Sequence, residues 1–199
     1  MVEIKLFNRW SFNVEVKDPG IKPYINLQPI VIPKTSGRYS KHPFYKSKMN
    51  IIERFINKLM VPGHRGKKHL LTSGLVTGKT QTIFNLVKEV LEKLEQRTKK
   101  NPIEVLVVAI GNAALREEIT SYQMGGIMVR KAVVTSPQRR VDLALSVIVQ
   151  SAYRKSFGKK LTMADALVDE IFYAYQNDAS KSEAIKEKER IEREASGAR

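Results

Sequence analysis

The chain has 199 residues, with 35 Lys and Arg against 20 Asp and Glu, giving a net charge of +15 at neutral pH. An excess this lopsided is more than solubility requires and points to a polyanionic partner, nucleic acid or an anionic membrane surface. With no cysteine and only three scattered histidines, disulfide staples and thiolate metal sites are excluded, and no metal or cofactor is expected.

No apolar run approaches the roughly 18 residues of a membrane span, and Met1 to Trp10 lacks the apolar stretch of a secretory signal. A cytosolic protein with no membrane contact and one substantial core is therefore expected. Residues 1–47 mix Pro, Gly, Lys and aromatics without helical periodicity. They read as an extended basic arm with short strands at most, ordered by a partner surface. Residues 48–199 read as a helical domain. Asn50 with Glu53 resembles a capping box, and Ile51, Ile52, Phe55, Ile56, Leu59 and Met60 mark one face of a first helix that Val61-Pro62-Gly63 stops.

After a basic loop, His64 to Lys68, a long helix runs to about Arg97 with Ile83, Val87, Val90, Leu91 and Leu94 on one stripe. Asn101-Pro102-Ile103-Glu104 places a cap, a proline at the first helical position and a carboxylate in the first turn of a third helix. That helix is apolar nearly all round from Val105 to Leu115, so it should be central. A short β-hairpin follows at about 117–135. Its Gly125-Gly126 pair can take the positive φ of a tight two-residue turn.

Ser136-Pro137 repeats the cap-then-proline signal, and Val141, Leu145, Ile148, Val149 and Ala152 carry a fourth helix to about Ser156, where Phe157-Gly158 ends it. Thr162 with Asp165 starts a fifth helix with Leu167, Val168, Ile171, Phe172 and Tyr175 as core, and Ser180 with Glu183 opens a sixth, mostly charged one. The fold class expected is mainly α, a bundle of six helices with one protruding hairpin and an extended basic arm.

Gly74-Leu-Val-Thr-Gly78-Lys79-Thr80 resembles a phosphate-binding loop, but it has three residues between its glycines where that motif needs four, and no convincing strand precedes it. His42, His64 and His69 have no nucleophile or carboxylate cluster near them in sequence. Asp165 is assigned to capping, Asp169 and Glu170 to a solvated face. No active site is legible, and a non-enzymatic protein is expected.

The cations are more informative because they cluster. Between Val31 and Leu70 lie Lys34, Arg38, Lys41, Lys46, Lys48, Arg54, Lys58, Arg65, Lys67 and Lys68, opposed by Glu53 alone. Tyr39, His42, Phe44 and Tyr45 are interleaved with them, a mixture suited to phosphate contact and to stacking on unpaired bases. A second group joins Arg116, Arg130, Lys131, Arg139 and Arg140 to Arg154, Lys155, Lys159 and Lys160, which become neighbours if the helix after Ser136 folds back on the hairpin base. Lys181 to Arg199 has nearly balanced charge and reads as a solvated or partner-facing element.

Taken in order, Phe55-Ile-Asn-Lys-Leu-Met60 with Gly66-Lys67-Lys68, Asn101-Pro102-Ile-Glu-Val-Leu106, Arg116-Glu117, Gly125-Gly126 and Ser136-Pro137-Gln-Arg139-Arg140 resemble the family of ribosomal protein seven of the small subunit, whose eukaryotic counterpart is numbered five. Leu6-Phe7-Asn-Arg9-Trp10 and Gly37-Arg38-Tyr39 resemble its archaeal and eukaryotic branch. The resemblance implies binding to the 3′ major domain of small-subunit rRNA in the head, and an early part in assembling it. It also implies a hairpin, with Tyr122, Gln123, Met124, Gly125 and Gly126 at its tip, near exit-site tRNA and the mRNA exit, and small-subunit protein eleven as a neighbour. Bacterial members carry arginines on the first hairpin strand, whereas Thr120 to Met124 is uncharged here. The rival readings are a DNA-architectural protein using its β-arm in a minor groove and a small NTPase built around Gly78-Lys79-Thr80.

Overall fold

Helical spacing of apolar residues and well-placed caps account for six α-helices and one antiparallel hairpin in the computed structural model, which describes residues 4–62 and 78–198. The elements are α1 (Ile51–Met60), α2 (Thr80–Thr98), α3 (Pro102–Ala113), β1 (Glu117–Met124), β2 (Ile127–Val134), α4 (Pro137–Ser156), α5 (Met163–Tyr175) and α6 (Glu183–Ser196). Side-chain oxygens of Asn50, Asn101 and Thr162 accept N–H groups in the first turns of α1, α3 and α5, satisfying donors the helices leave open. The last helix is capped by Ser182, not by Ser180, whose hydroxyl and N–H are held by Asp178. Glu53 does not reach back to Asn50 as a capping box would. It is buried, and it accepts the N–H and hydroxyl of Thr35.

The core forms where apolar faces meet. α3 buries Ile103, Val105, Leu106, Val107, Ala109 and Ile110 and packs against α2, α4, α5 and α6, as a helix apolar all round must. On α2 the buried stripe is Ile83, Val87, Val90, Leu91 and Leu94. α5 lies against α2, α3, α4 and α6. No helix among the described residues is long and apolar enough to cross a membrane, and no group of three or more potential metal ligands occurs among them.

The N-terminal segment differs from a free arm. Leu6, Trp10, Phe12, Val16, Ile21 and Ile25 are buried in the same cluster as the helices, so this stretch finds its apolar cover on the protein's own core. Phe7 packs edge-on against Trp10 and Phe84, while Arg9 pairs with Glu92 and Glu95 of α2. Between residues 4 and 47 there is no strand, only isolated bridges and three 3-10 turns, at Lys22–Tyr24, Arg38–Lys41 and Tyr45–Lys48. Apolar side chains in an irregular stretch carry no period, so their burial leaves no pattern to read.

Two carboxylates tie the helices together. Glu170, expected on a solvated face, is wholly buried: it accepts the Ser182 hydroxyl and the Ala184 N–H, each at 2.9 Å, and pairs with Lys155 of α4. Only its neighbour Asp169 faces outward, paired with Arg97. Asp142 of α4 receives the Arg54 guanidinium at 3.0 Å and the Lys46 ammonium at 2.8 Å. Burial alone would raise the Asp142 carboxyl, but hydrogen bonds from Lys46 and Arg54 outweigh it and hold the group below its ordinary pKa.

The strands pair in register from Glu117↔Val134 to Met124↔Ile127, leaving Gly125 and Gly126 as a two-residue turn with φ of 58° and 85°. Both values are positive, the signature of the turn whose twist matches the strands. α6 covers the hairpin base: it packs on β1 and β2, and Glu192 accepts the Arg116 N–H at 2.8 Å. With Ala184, Ile185 and Ala195 buried, α6 is a brace and not a solvated appendage.

Two outcomes follow from these contacts. Nothing lies within 4 Å of a Cβ added at Gly125 or Gly126, so the demand there is on backbone conformation. Replacing both with valine should cost about 1–2 kcal/mol at each position, opening the turn while helical circular dichroism stays within a few per cent of wild type; collapse of the helical signal would show that the tip belongs to the core. A carboxyl whose pKa is lowered on folding stabilises above its unfolded pKa and loses that contribution as pH falls through the folded value. Stability measured by urea unfolding should therefore fall below about pH 4, and Asp142→Asn should flatten that fall; an unchanged slope would mean that Asp142 is not linked to folding.

Candidate nucleic-acid interface

The first cationic group is displayed by the last two 3-10 turns before α1 and the segment leading into them. Lys34, Arg38, Lys41, Lys46 and Lys48 are all exposed there, with Tyr39 half-buried beside them. Lys48 holds its ammonium 3.6 Å from the centre of the Tyr45 ring, which stacks at 4.8 Å on His42. Lys58, half-buried on α1, meets no carboxylate among the described residues. Arg54 is different: it is 2% exposed and donates to the Tyr24 carbonyl at 2.7 Å as well as to Asp142. Its helical position points it into the α1–α4 joint, which removes it from any outward-facing set. Arg65, Lys67, Lys68, His64 and His69 lie outside the described residues, as does Gly74.

The second group is divided by the length of α4. Arg139 and Arg154 stand at opposite ends of one unbroken helix, so at 1.5 Å per residue they are separated by about 22 Å along its axis. The hairpin base meets the N-terminal end of that helix. At the N-terminal end, Arg139 forms a fork on Glu118 of β1 at 2.7 and 2.8 Å, and Arg140 donates to the Leu115 carbonyl and to Asp18. These two arginines clamp the hairpin base, Arg139 remaining half exposed and Arg140 largely covered. At the far end Lys155 is committed to Glu170 and the Lys181 carbonyl, and Arg154 lies 4.0 Å from Glu183, whereas Lys159 and Lys160 are exposed.

What the fold does bring together is the N-terminal end of this second group and the first group. One groove is lined by Phe44 and Lys46 from the 3-10 region, Lys58 from α1, and Ser136, Gln138, Arg139 and Asp142 from the start of α4, with Lys46 paired to Asp142 inside it. From that groove the hairpin runs outward. Arg130 and Lys131 stand on β2 opposite Ser121 and Thr120, so the first strand offers hydroxyls and no carboxylate against them. Arg116, exposed at the hairpin entry, helps draw the Asp18 carboxyl below its ordinary pKa: burial would raise it, and the Gly20 N–H, Arg140 and Arg116 together overcome that effect.

The tip is apolar to a degree that sequence reading missed. Tyr122 and Met124 share one face of the ribbon with Val129 and Ile127, while Gln123 shares the other with Met128. Ile127 is 70% exposed, and Met124 and Met128 are similarly bare. The available signal was their place beside a two-glycine turn, where no second layer can cover them. The Gly78-Lys79-Thr80 segment leads into α2 with Lys79 as a cap lacking any side-chain bond, and Thr80 opens the helix.

A family model described as ribosomal protein S7p/S5e matches residues 22–199. The small ribosomal subunit protein uS7 of Nanoarchaeum equitans is 48% identical over 199 residues, the whole of both chains. That of Methanococcus maripaludis is 44% identical over the same full span, and that of Archaeoglobus fulgidus is 44% identical over 198 residues, 99% of this chain and 96% of that protein. A likeness that runs through both basic regions, the hairpin and the helices between them leaves one conclusion, that the chain belongs to the ribosomal protein S7p/S5e family.

Proposed function

We propose that this protein binds the 3′ major domain of small-subunit ribosomal RNA, the part that forms the head, and helps that domain assemble. As a family member it is a ribosomal protein and not an enzyme. The observation that carries the finer reading is the division of its cations. Arg54, Arg140 and Lys155 are consumed inside the fold. Lys34, Arg38, Lys41, Lys58, Arg130, Lys131, Lys159 and Lys160 meet no carboxylate among the described residues. Free cations displayed on rigid helices, turns and a ribbon suit recognition of phosphates arranged by RNA shape, because a deep A-form major groove resists side chains.

The hairpin is the element for reaching exit-site tRNA and the mRNA exit. The uncharged stretch Thr120 to Met124 of its first strand turns recognition over to Arg130 and Lys131 of β2, while the apolar tip suits a protein neighbour, for which small-subunit protein eleven is our candidate. The exposed Met124 and Ile127 also favour, by themselves, a wedge of the kind DNA-bending arms insert. A competitor series discriminates between the two.

Binding to a 3′-major-domain transcript, with excess tRNA and duplex DNA present, should weaken by a factor on the order of hundreds to a thousand between 50 and 200 mM salt if about six phosphates are neutralised. Selective retention on the transcript supports the ribosomal reading. Equal loss to every competitor, or a flat salt response, overturns it. Replacing Arg130 and Lys131 together with alanine should lower the slope of log affinity against log salt by about 1–2 while stability stays within about 0.5 kcal/mol. Arg140→Ala should instead cost about 1–3 kcal/mol of stability through the acceptors it abandons; an Arg140→Ala protein as stable as wild type would show that the clamp is dispensable.

A further inference from the structure

Four aromatic residues are threaded through the first cationic group, and the fold treats them differently. His42 and Tyr45 stack on one another, and Lys48 covers the Tyr45 ring. Tyr39 is half-buried. Phe44 alone is bare, 82% exposed, and it makes no ring contact among the described residues. It also lines the groove that holds Lys58, beside Lys46 and Arg139, which are paired with Asp142 and Glu118.

Its backbone sharpens the question. The last two 3-10 turns before α1, Arg38–Lys41 and Tyr45–Lys48, each begin from a left-handed residue. At the first turn that residue is Gly37, with φ of 78°, which bears the conformation without penalty. At the second it is Phe44, with φ of 63°, where a Cβ is disfavoured. The turn holds it there: the Ser47 hydroxyl and N–H both donate to the Phe44 carbonyl, at 3.0 and 3.4 Å. Phe7 is the other phenylalanine with positive φ, at 50°, but its ring is packed against Trp10 and Phe84, so core contacts offset the strain. For Phe44 no ring contact among the described residues does so. Backbone strain at a largely exposed ring is the pattern of a residue preset for a ligand.

We propose that Phe44 is a base-stacking residue: its ring takes the face of an unpaired nucleobase whose flanking phosphate is met by Lys58, which has no carboxylate partner among the described residues. This deepens the RNA-binding reading and rests on it. Stacking tolerates any base because every base has a π-face, and it releases no counterions. Loss of the ring should therefore lower affinity without changing the salt slope, whereas loss of a groove cation should change both.

The test compares wild type with Phe44→Ala, Phe44→Leu, Phe44→Trp and Phe44→Gly on two probes, the 3′-major-domain transcript and an unstructured single-stranded oligoribonucleotide, across a salt series. Phe44→Ala and Phe44→Gly should bind about tenfold or more weakly with an unchanged slope, Phe44→Leu should be nearly as poor, and Phe44→Trp should restore affinity. Phe44→Gly should show no fall in melting temperature, since glycine suits the left-handed turn, so its binding loss is not a folding loss. Phe44→Ala binding both probes as wild type does, or losing affinity only through a shallower salt slope, overturns the proposal and leaves a protein surface as the ring's partner. Wild type that does not prefer the transcript to tRNA sinks the ribosomal RNA reading alone, because the affinity ratio of Phe44→Ala to wild type on the single strand still decides the stacking.

Discussion

Self-repulsion is the constraint under which this fold exists. A chain with 35 cations and 20 acids must place its acids where they hold most, or the compact state pushes itself apart. Several of those acids stand at joints. Asp142 fastens α4 to α1 and to the Tyr45–Lys48 turn, Glu170 fastens α5 to the end of α4 and the start of α6, Glu118 fastens β1 to α4, and Asp18 fastens the N-terminal segment to α4. Each draws in one or two cations from groups that looked uniform in the sequence. The cations left over are those with nothing to neutralise them inside the protein, and in this way structural and recognition charge are separated.

The same economy explains what could be read in advance. Helices announced themselves wherever local chemistry decides: the α2 stripe, the Asn101-Pro102 start and the Gly125-Gly126 turn are each set by neighbours within a few residues, and all stand where periodicity or capping put them. Long-range facts were hidden. Nothing near Glu170 in sequence says that a buried pocket with three donors awaits it, and nothing near Arg54 says that its guanidinium turns inward. The burial of Leu6 to Ile25 was hidden for a related reason, since an irregular segment that lies across helices has no repeat to betray its inner face.

For the interface, identity of the cations was legible and their grouping was not. Adjacency in sequence does not give proximity here, because a 20-residue helix carries Arg154 away from Arg139. The groove that replaced the expected cluster is assembled from residues about ninety positions apart, Phe44 and Lys46 with Ser136 and Arg139. Only tertiary packing could create it. The family resemblance, by contrast, is carried by ordered short motifs and needs none of these distances.

The hairpin's proportions have a mechanical side. Eight-residue strands reach about 27 Å, and beyond the base no second layer stiffens the ribbon, so where the tip goes is decided where α6, Arg139 and Arg140 grip its root. A rotation of about 5° at that root would carry the glycine turn some 2 Å, roughly, by simple leverage on that length. A disturbance in the Arg140–Asp18 or Arg116–Glu192 contacts would thus be felt chiefly at the far end of the ribbon, with the helical core barely altered.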